Sequence, residues 1–400
     1  DYCMRKVSKM VFKNIEEEEV FEMVSKTSTG IVPDEDLFIF DLEVFPNLLI
    51  VGFKQYGKKE RTVWYNPEPA KIEWLLQRPL VAFHNRGYDN HIIYRAMQGA
   101  SNLQLYAQSQ AIINGDRGDG KIAGAYEISY ADIYEYASKK QSVKKWEIEL
   151  GITHDELEFP WDQPLAEEDW ERAGEYCLND VDAAEVIFNA TYADYKARKI
   201  LSDLTGLPVN ATTQQHAAKW LFGDDPRPQE KFVYTDLATI FPGYKYSFGK
   251  SEYMGEDPSE GGLVRHKTGV WENVELDDVV SMHPHAAKAL NYFGPYQERF
   301  NQLIDARVAV KHHDFELART YFNGALTPYL TEDDADDLAY ALKIVINIVY
   351  GMTSAKFDNK FRHPKNVDNI IAKYGALFMI TLKNELEKMN VNWVHIKTDS

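Results

Sequence analysis

The stretch Phe38-Ile39-Phe40-Asp41-Leu42-Glu43-Val44-Phe45-Pro46 decides the fold. Leu37–Phe40 reads as a buried strand, and Leu48–Phe53 as its antiparallel neighbour across a Pro46-Asn47 turn. Asp41 and Glu43 close the first strand. Their i, i+2 spacing sets both carboxylates on one face of it. A lone Asp-x-Glu is more often a solvated turn or a cap, so its meaning rests on what else the chain supplies.

Outward from this stretch, Pro79–Phe83 reads as a third strand, followed by a polar turn and a helix from Asp89. Tyr126–Tyr130 reads as a further strand, and Trp170–Ala193 as a strong amphipathic helix. Strands interleaved with helices imply an α/β domain over residues 31–205. Residues 1–30, with an acidic helical stretch around Glu16–Met23, form an N-terminal extension. Residues 206–270 read as a linker or irregular segment, and within them 222–262 are rich in Gly, Pro and Asp. Val274–Val280 then reads as a strand. Helices over Gln297–Phe322 and Glu332–Tyr350, joined by a turn with Gly324 and Pro328, make a helical hairpin. A helix over Ile370–Met389 and a strand over Val391–Ile396 follow.

The 400 residues suffice for two or three domains. With 44% hydrophobic and 26% charged residues the chain is globular, neither disordered nor collagen-like. Cys3 and Cys177 are its two thiols, which excludes a disulfide framework. They point to a reducing compartment, hence the cytoplasm, or the host cytoplasm if the source is viral. No uncharged apolar run nears the ~18 residues a membrane helix needs. The net charge of −18 argues weakly for acidic metal sites, although a basic channel can coexist with an acidic exterior. Asp1 in place of Met, and the last residues IKTDS following the strand-like VNWVHI with nothing to close its sheet, give the expectation of a piece of a longer protein.

Two further carboxylates join the first pair. Asp89 lies in FHNRGYDN, and Asp180 lies in EYCLNDVDAAEVIF with Tyr176 four residues earlier on the same helical face. Two-metal phosphodiester cleavage needs such a set: one ion activates water and the other stabilises the leaving oxygen. Mg²⁺ favours oxygen ligands and keeps several waters, so few carboxylates suffice. Asp-x-Glu, Asn-x-x-Tyr-Asp and Tyr-x-x-x-Asp, each in a strand or helix context, resemble the DEDDy proofreading 3′–5′ exonucleases of the ribonuclease-H-like fold. Asp41 and Glu43 match the first motif, Asn85 and Asp89 the second, Tyr176 and Asp180 the third. The resemblance implies that Asp41, Glu43, Asp89 and Asp180 hold metal, that Tyr176 orients the attacking water, and that Asn85 contacts substrate. Phe83 and His84 read as core and turn. Lys144 and Lys145 read as a solvated helix face that could also touch DNA.

A second constellation follows the linker. VELDDVVSMHPHAA holds Asp278, Ser281, His283 and Pro284, ALKIVINIVYGMTSAKF holds Lys343, Asn347, Tyr350 and Gly351, and VHIKTDS holds Asp399. Lys343, Asn347 and Tyr350 are i, i+4, i+7, one helical stripe, and Arg307 and Lys311 make a basic i, i+4 pair upstream. Three cations facing one cleft would suit a triphosphate. Asp278 and Asp399 could hold two Mg²⁺ ions below it.

These segments resemble family B DNA polymerases of the compact bacteriophage-like kind. DVVSMHP looks like motif A, KIVINIVYG like motif B, KTDS like motif C, and EGGLV at 260–264 like the YxGG segment between exonuclease and polymerase. The resemblance covers about residues 36–400, its motifs in the family's order. Family A keeps a different Lys-to-Tyr spacing and a His-Asp-Glu-like motif C. Three departures stand out: His283 for the tyrosine that excludes ribonucleotides, Lys397 for the first aspartate of motif C, and Ser259 for the tyrosine of YxGG.

The fold so implied is α/β (α+β). A ribonuclease-H-like exonuclease domain precedes palm residues 271–296, a short fingers hairpin at 297–355 and a second palm part at 356–400, with the thumb absent. The implied activity is template-directed DNA synthesis with proofreading, with two Mg²⁺ per active site (or Mn²⁺), on primer-template DNA and dNTPs. Asp278 and Asp399 would hold metal, Arg307, Lys311 and Lys343 the triphosphate. Asn347, Tyr350 and His283 would lie near the nascent base pair. Beyond the two helices, the interval from Asp278 to Lys343 leaves only Asn291–Tyr296 and Asn323–Thr331, too short for a folded subdomain. The expectation is therefore a nucleic-acid primer, no terminal-protein partner, no membrane, and a separate helicase, clamp or single-strand binding protein. The rivals are a standalone exonuclease with a degenerate polymerase half and an inert DNA-binding scaffold; the four intact carboxylates count against the second.

Overall fold

The computed structural model describes residues 30–116, 118–153, 155–259 and 262–398. The N-terminal stretch Glu16–Met23, Glu260 and Gly261 of the YxGG-like segment, and Asp399 lie outside the described residues. The fold is mixed α/β and divides into two compact units, Asp1–His216 and Ala217–Ser400.

The first unit is built on a five-stranded sheet in the order β3-β2-β1-β4-β5. Its strands are β1 (Phe38–Phe45), β2 (Leu48–Gln55), β3 (Arg61–Tyr65), β4 (Leu80–Ala82) and β5 (Ala131–Asp132). β1 is central, antiparallel to β2 and parallel to β4. The apolar alternation of β1 assigns its faces. Phe40, Leu42 and Val44 pack with α1 (Pro69–Leu76), α2 (Asp89–Met97) and α3 (Asn102–Asn114). Ile39 and Phe45 point the other way, toward the side covered by α6 (Trp170–Ala190) and α7 (Tyr192–Thr205). Between α3 and α6 lie α4 (Ile133–Tyr136) and α5 (Val143–Leu150), and α8 (Thr213–Phe222) follows α7.

α6 buries Ala173, Cys177, Val181, Ala184 and Phe188, a stripe in steps of three and four that lies along the sheet. Its close approach depends on Gly52, which pairs with Asp41 across the β1–β2 ladder. A Cβ at position 52 would come within 2.8 Å of Cys177 Sγ. Lys54 on β2, 8% exposed, ties the helix down through Asp182 at 2.8 Å and Glu185 at 2.7 Å.

The second unit contains the hairpin β6 (Lys245–Ser247) and β7 (Lys250–Glu252), and the pair β8 (Val264–His266) and β9 (His395–Lys397). Its helices are α9 (Met282–Ala289), α10 (Gln297–Lys311), α11 (Phe315–Ala318), α12 (Ala335–Thr353) and α13 (Ile370–Lys388). α10 and α12 pack together, and Leu303, Ala306 and Val310 on the one and Leu338, Leu342 and Val345 on the other are buried.

The structure departs from the sequence reading in several elements. Residues 206–270, read as a linker or irregular segment, hold α8, the β6–β7 hairpin and β8. Residues 126–130 are turns, not a strand. The Tyr126 and Ser129 carbonyls accept from the side-chain amide of Asn210 at 3.1 Å each, and Tyr126 also from Arg86 at 3.2 Å, in place of a ladder. Residues 274–280 form no strand. β8 takes β9 as its partner, and Val274, Leu276 and Val280 stay exposed. The helix expected over 297–322 stops at Lys311. His313 adopts φ 56°, and Asp314 caps α11 by accepting from the Leu317 N–H at 3.1 Å. The last strand is confined to His395–Lys397.

Candidate metal centre

Asp41 and Glu43 lie inside β1, opposite Gly52 and Ile50, rather than at its end. Both point to the α6 side of the sheet, as their spacing from Ile39 and Phe45 dictates. Tyr176 and Asp180 sit one residue before Cys177 and Val181, at the margin of the stripe that α6 buries. The helix thus brings Asp180 to the strand: one oxygen each of Asp41, Glu43 and Asp180 lie within 4.8 Å of one another. Asp89, 5% exposed, opens α2 and lines the same cleft of about 540 Å³ with Phe83, His84, Tyr88 and Tyr134.

The electrostatics follow from that crowding. Burial first, then the charges of Asp89, Glu43 and Asp180, hold the Asp41 carboxyl well above the usual range. Burial, then Asp180 and Asp89, does the same to Glu43. Burial, with the charge of Asp132 adding to it, pushes Asp89 up to about 7. The Tyr176 phenol is raised by burial and then by Asp180, Glu43 and Asp41, so it stays protonated at neutral pH. Carboxylates that resist ionising together are a site in which a hard cation would relieve the repulsion. The donor set is all oxygen, the kind that suits Mg²⁺ or Mn²⁺.

Several positioning groups were not evident from the sequence. Asp132, 2% exposed, accepts the backbone N–H of His84 at 3.1 Å and of Arg86 at 2.9 Å. It thereby holds the turn that delivers Tyr88 and Asp89, with His84 at φ 63°. His91 accepts from the Ile122 N–H at 2.9 Å through Nδ1, while its Nε2 lies 3.0 Å from the Arg86 carbonyl. His84, read as a turn residue, is exposed and walls the cleft. Asn85, read as a substrate contact, is fully buried. Its amide donates to Asn90 at 3.2 Å and toward the Ala131 carbonyl at 3.4 Å, so it braces the turn from within. Lys144 is exposed and paired with Glu156 at 2.6 Å. No motif marked Asp132 or His91. Their signal lay only in a polar residue next to an apolar run.

In the second unit the structure brings His283 and Tyr350 together, their rings stacked. Lys343 and Asn347 are exposed on α12, Lys311 is exposed at the end of α10, and Arg307 is half-buried. Asp278 is exposed in the irregular stretch 272–279. Among the described residues, the one group of three acidic, His or Cys side chains with converging ligand atoms is Asp41, Glu43 and Asp180. No described helix is long and apolar enough to cross a membrane. A scan of protein-family models and a search of curated proteins return no match for this chain.

Proposed function

We propose that the first unit is a metal-dependent 3′–5′ exonuclease acting on DNA ends, and that the second belongs to a template-directed DNA polymerase which it proofreads. The observation that carries the reading is the meeting of Asp41, Glu43 and Asp180 within 4.8 Å, in a cleft that Asp89 also lines. Asp41, Glu43, Asp89 and Asp180 would hold two Mg²⁺ ions, which when bound supply an activated water and charge relief at the leaving oxygen. The chain's own groups do the rest. Tyr176, protonated beside Asp180, orients the attacking water through its hydroxyl. Tyr88, His84 and Tyr134 offer aromatic edges and faces to a frayed strand, as stacking platforms do in single-strand binding. In the second unit, Lys343 with Arg307 and Lys311 would bind dNTP phosphates, and Asp278 and Asp399 the polymerase metals, on primer-template DNA.

The test is Mg²⁺-dependent digestion of a single-stranded oligonucleotide labelled at its 5′ end. Asp41→Ala combined with Glu43→Ala should abolish the ladder of products while the circular dichroism spectrum stays parental. Digestion by the double variant at the parental rate would overturn the assignment. Two observations favour a second reading, an exonuclease beside a silent polymerase half: Asp278 is exposed on an irregular segment, and Lys397 stands where the motif-C-like KTDS would carry its first aspartate. Absence of dNTP incorporation by the parental full-length protein would favour that reading, and incorporation that Asp278→Ala abolishes would overturn it.

A further inference from the structure

Residues 155–166 form neither helix nor strand, yet they are fastened at both ends. Arg172 grips Asp155 with two bonds of 2.8 and 3.0 Å, and Asn179 adds a third at 3.3 Å. At the far end, the Asn47 side chain exchanges two hydrogen bonds with the Leu165 backbone, at 2.8 and 2.9 Å. Leu157, Phe159 and Leu165 pack with Phe45, Leu48 and Ile50. Between the fastenings, Trp161 lays its ring on Phe45, with centroids 4.9 Å apart and planes 17° from parallel. Its edge meets Tyr176 at 6.0 Å and 62°.

Phe45 lies two residues beyond Glu43 on β1, and Tyr176 lies one turn before Asp180 on α6. Trp161 therefore spans the two elements that carry the carboxylates, and with Glu43 it lines a second cleft of about 560 Å³. The hydroxyl of Tyr176 is held by a hydrogen bond to Asp180, while its ring is half-buried on the helix margin, with Glu175 and Asn179 exposed around it. A phenol that must aim its hydroxyl at a reacting water needs its ring fixed, because small misplacements cost catalysis heavily.

We infer that Trp161 is a positioning residue that fixes the ring of Tyr176 against the metal centre. The inference rests on the exonuclease reading for its effect on rate, and on geometry alone for its effect on Tyr176. Trp161 acts through Tyr176, not on the DNA. Its loss therefore lowers the rate of the chemical step and leaves the affinity for substrate in place.

The experiment is a double-mutant cycle in the full chain, read by single-turnover digestion of a single-stranded oligonucleotide with Mg²⁺. Trp161→Ala should slow cleavage by about tenfold or more with the apparent substrate affinity unchanged, an effect expected of a lost alignment. Trp161→Phe, which keeps a ring on Phe45, should stay near the parental rate. In a Tyr176→Phe background, Trp161→Ala should cost nothing further. Independent, multiplying effects would overturn the inference, as would a loss confined to DNA affinity. A second readout does not depend on activity. With 3-fluorotyrosine in the protein, the ¹⁹F resonance that disappears in Tyr176→Phe should move or broaden in Trp161→Ala and not in Trp161→Phe. An unmoved resonance refutes the positioning role. A moved resonance in a protein that never digests DNA sustains it and refutes the exonuclease reading instead.

Discussion

The imidazole of His283 lies flat on the ring of Tyr350, with centroids 4.1 Å apart and planes 6° from parallel. One residue belongs to the first turn of α9 and the other to the last part of α12, so the stack joins two segments 67 residues apart in the chain. Both rings are half-buried. His283→Ala should therefore take the stack from Tyr350, which keeps its hydrogen bond to Asn369, and cost about 0.5–1.5 kcal/mol, the worth of an aromatic pair. If the pair walls the sugar site, the same change raises ribonucleotide incorporation, and His283→Phe restores discrimination. The measurement is the ratio of rNTP to dNTP incorporation on one template, and an unchanged ratio refutes the sugar-site role.

Gly52 faces Cys177 across the contact of sheet and helix, its would-be Cβ 2.8 Å from the Sγ. Gly52→Ala should push α6 outward, carrying Tyr176 and Asp180 away from Asp41. Overpacking of this kind costs about 1–3 kcal/mol. Cys177→Ala in the same chain should recover most of that loss. Urea midpoints of the two single variants and the double variant check it, and a double variant no more stable than Gly52→Ala alone counts against the contact.

Asp132 is the acceptor for the His84 and Arg86 amides and for the Glu135 N–H at 3.1 Å. Asp132→Ala strands these donors at a cost of about 2–4 kcal/mol. It also releases His84 from its left-handed backbone. Mg²⁺-dependent digestion should fall with it, because the same turn presents Asp89. A variant with the parental urea midpoint would show that the turn holds itself.

His216 gives the acid limb of stability. It is fully buried on α8, with Nδ1 2.8 Å from the Thr205 hydroxyl, and burial with the Arg198 charge behind it pushes its pKa down to about 3. A depressed histidine favours the fold above its unfolded pKa of 6.5, and that contribution is lost as pH falls toward the folded value. The loss should be on the order of 3–5 kcal/mol by pH 3. His216→Leu should flatten this limb in thermal melts between pH 7 and pH 4. Melts of the variant that keep the parental slope would assign the acid sensitivity to other groups.

The core of the first unit was readable because β1 obeys a period of two and α6 a period near four. Those two rhythms set Asp41 with Glu43 on one strand face and Tyr176 with Asp180 on one helix face; only the resemblance implied that the two faces meet. What escaped was set by distant partners. Whether residues 126–130 became a strand depended on Asn210 and Arg86 claiming their carbonyls, and Asn210 is 80 residues further along. Val274–Val280 had the composition of a strand, but composition does not supply a partner: β8 pairs with the distant β9, and 274–280 joins no ladder. Asn85 had the right place in a motif, yet its side chain turned inward, because spacing fixes a residue's position and not its rotamer. Trp161 offered no periodic signal, since its loop is shaped by contacts at each end rather than by a repeat.

The first two carboxylates ride on the central strand of the sheet, with β2 hydrogen-bonded along its full length. Backbone in that place is the last to exchange its amide protons and the last to open on heating. The amides of Asp41 and Glu43 should accordingly be among the slowest to take up deuterium. Those of the 155–164 loop, which lies outside every ladder, should be among the fastest. Heat would then erase the site in two stages: the covering loop first, reversibly, and the acidic centre only when the whole unit melts.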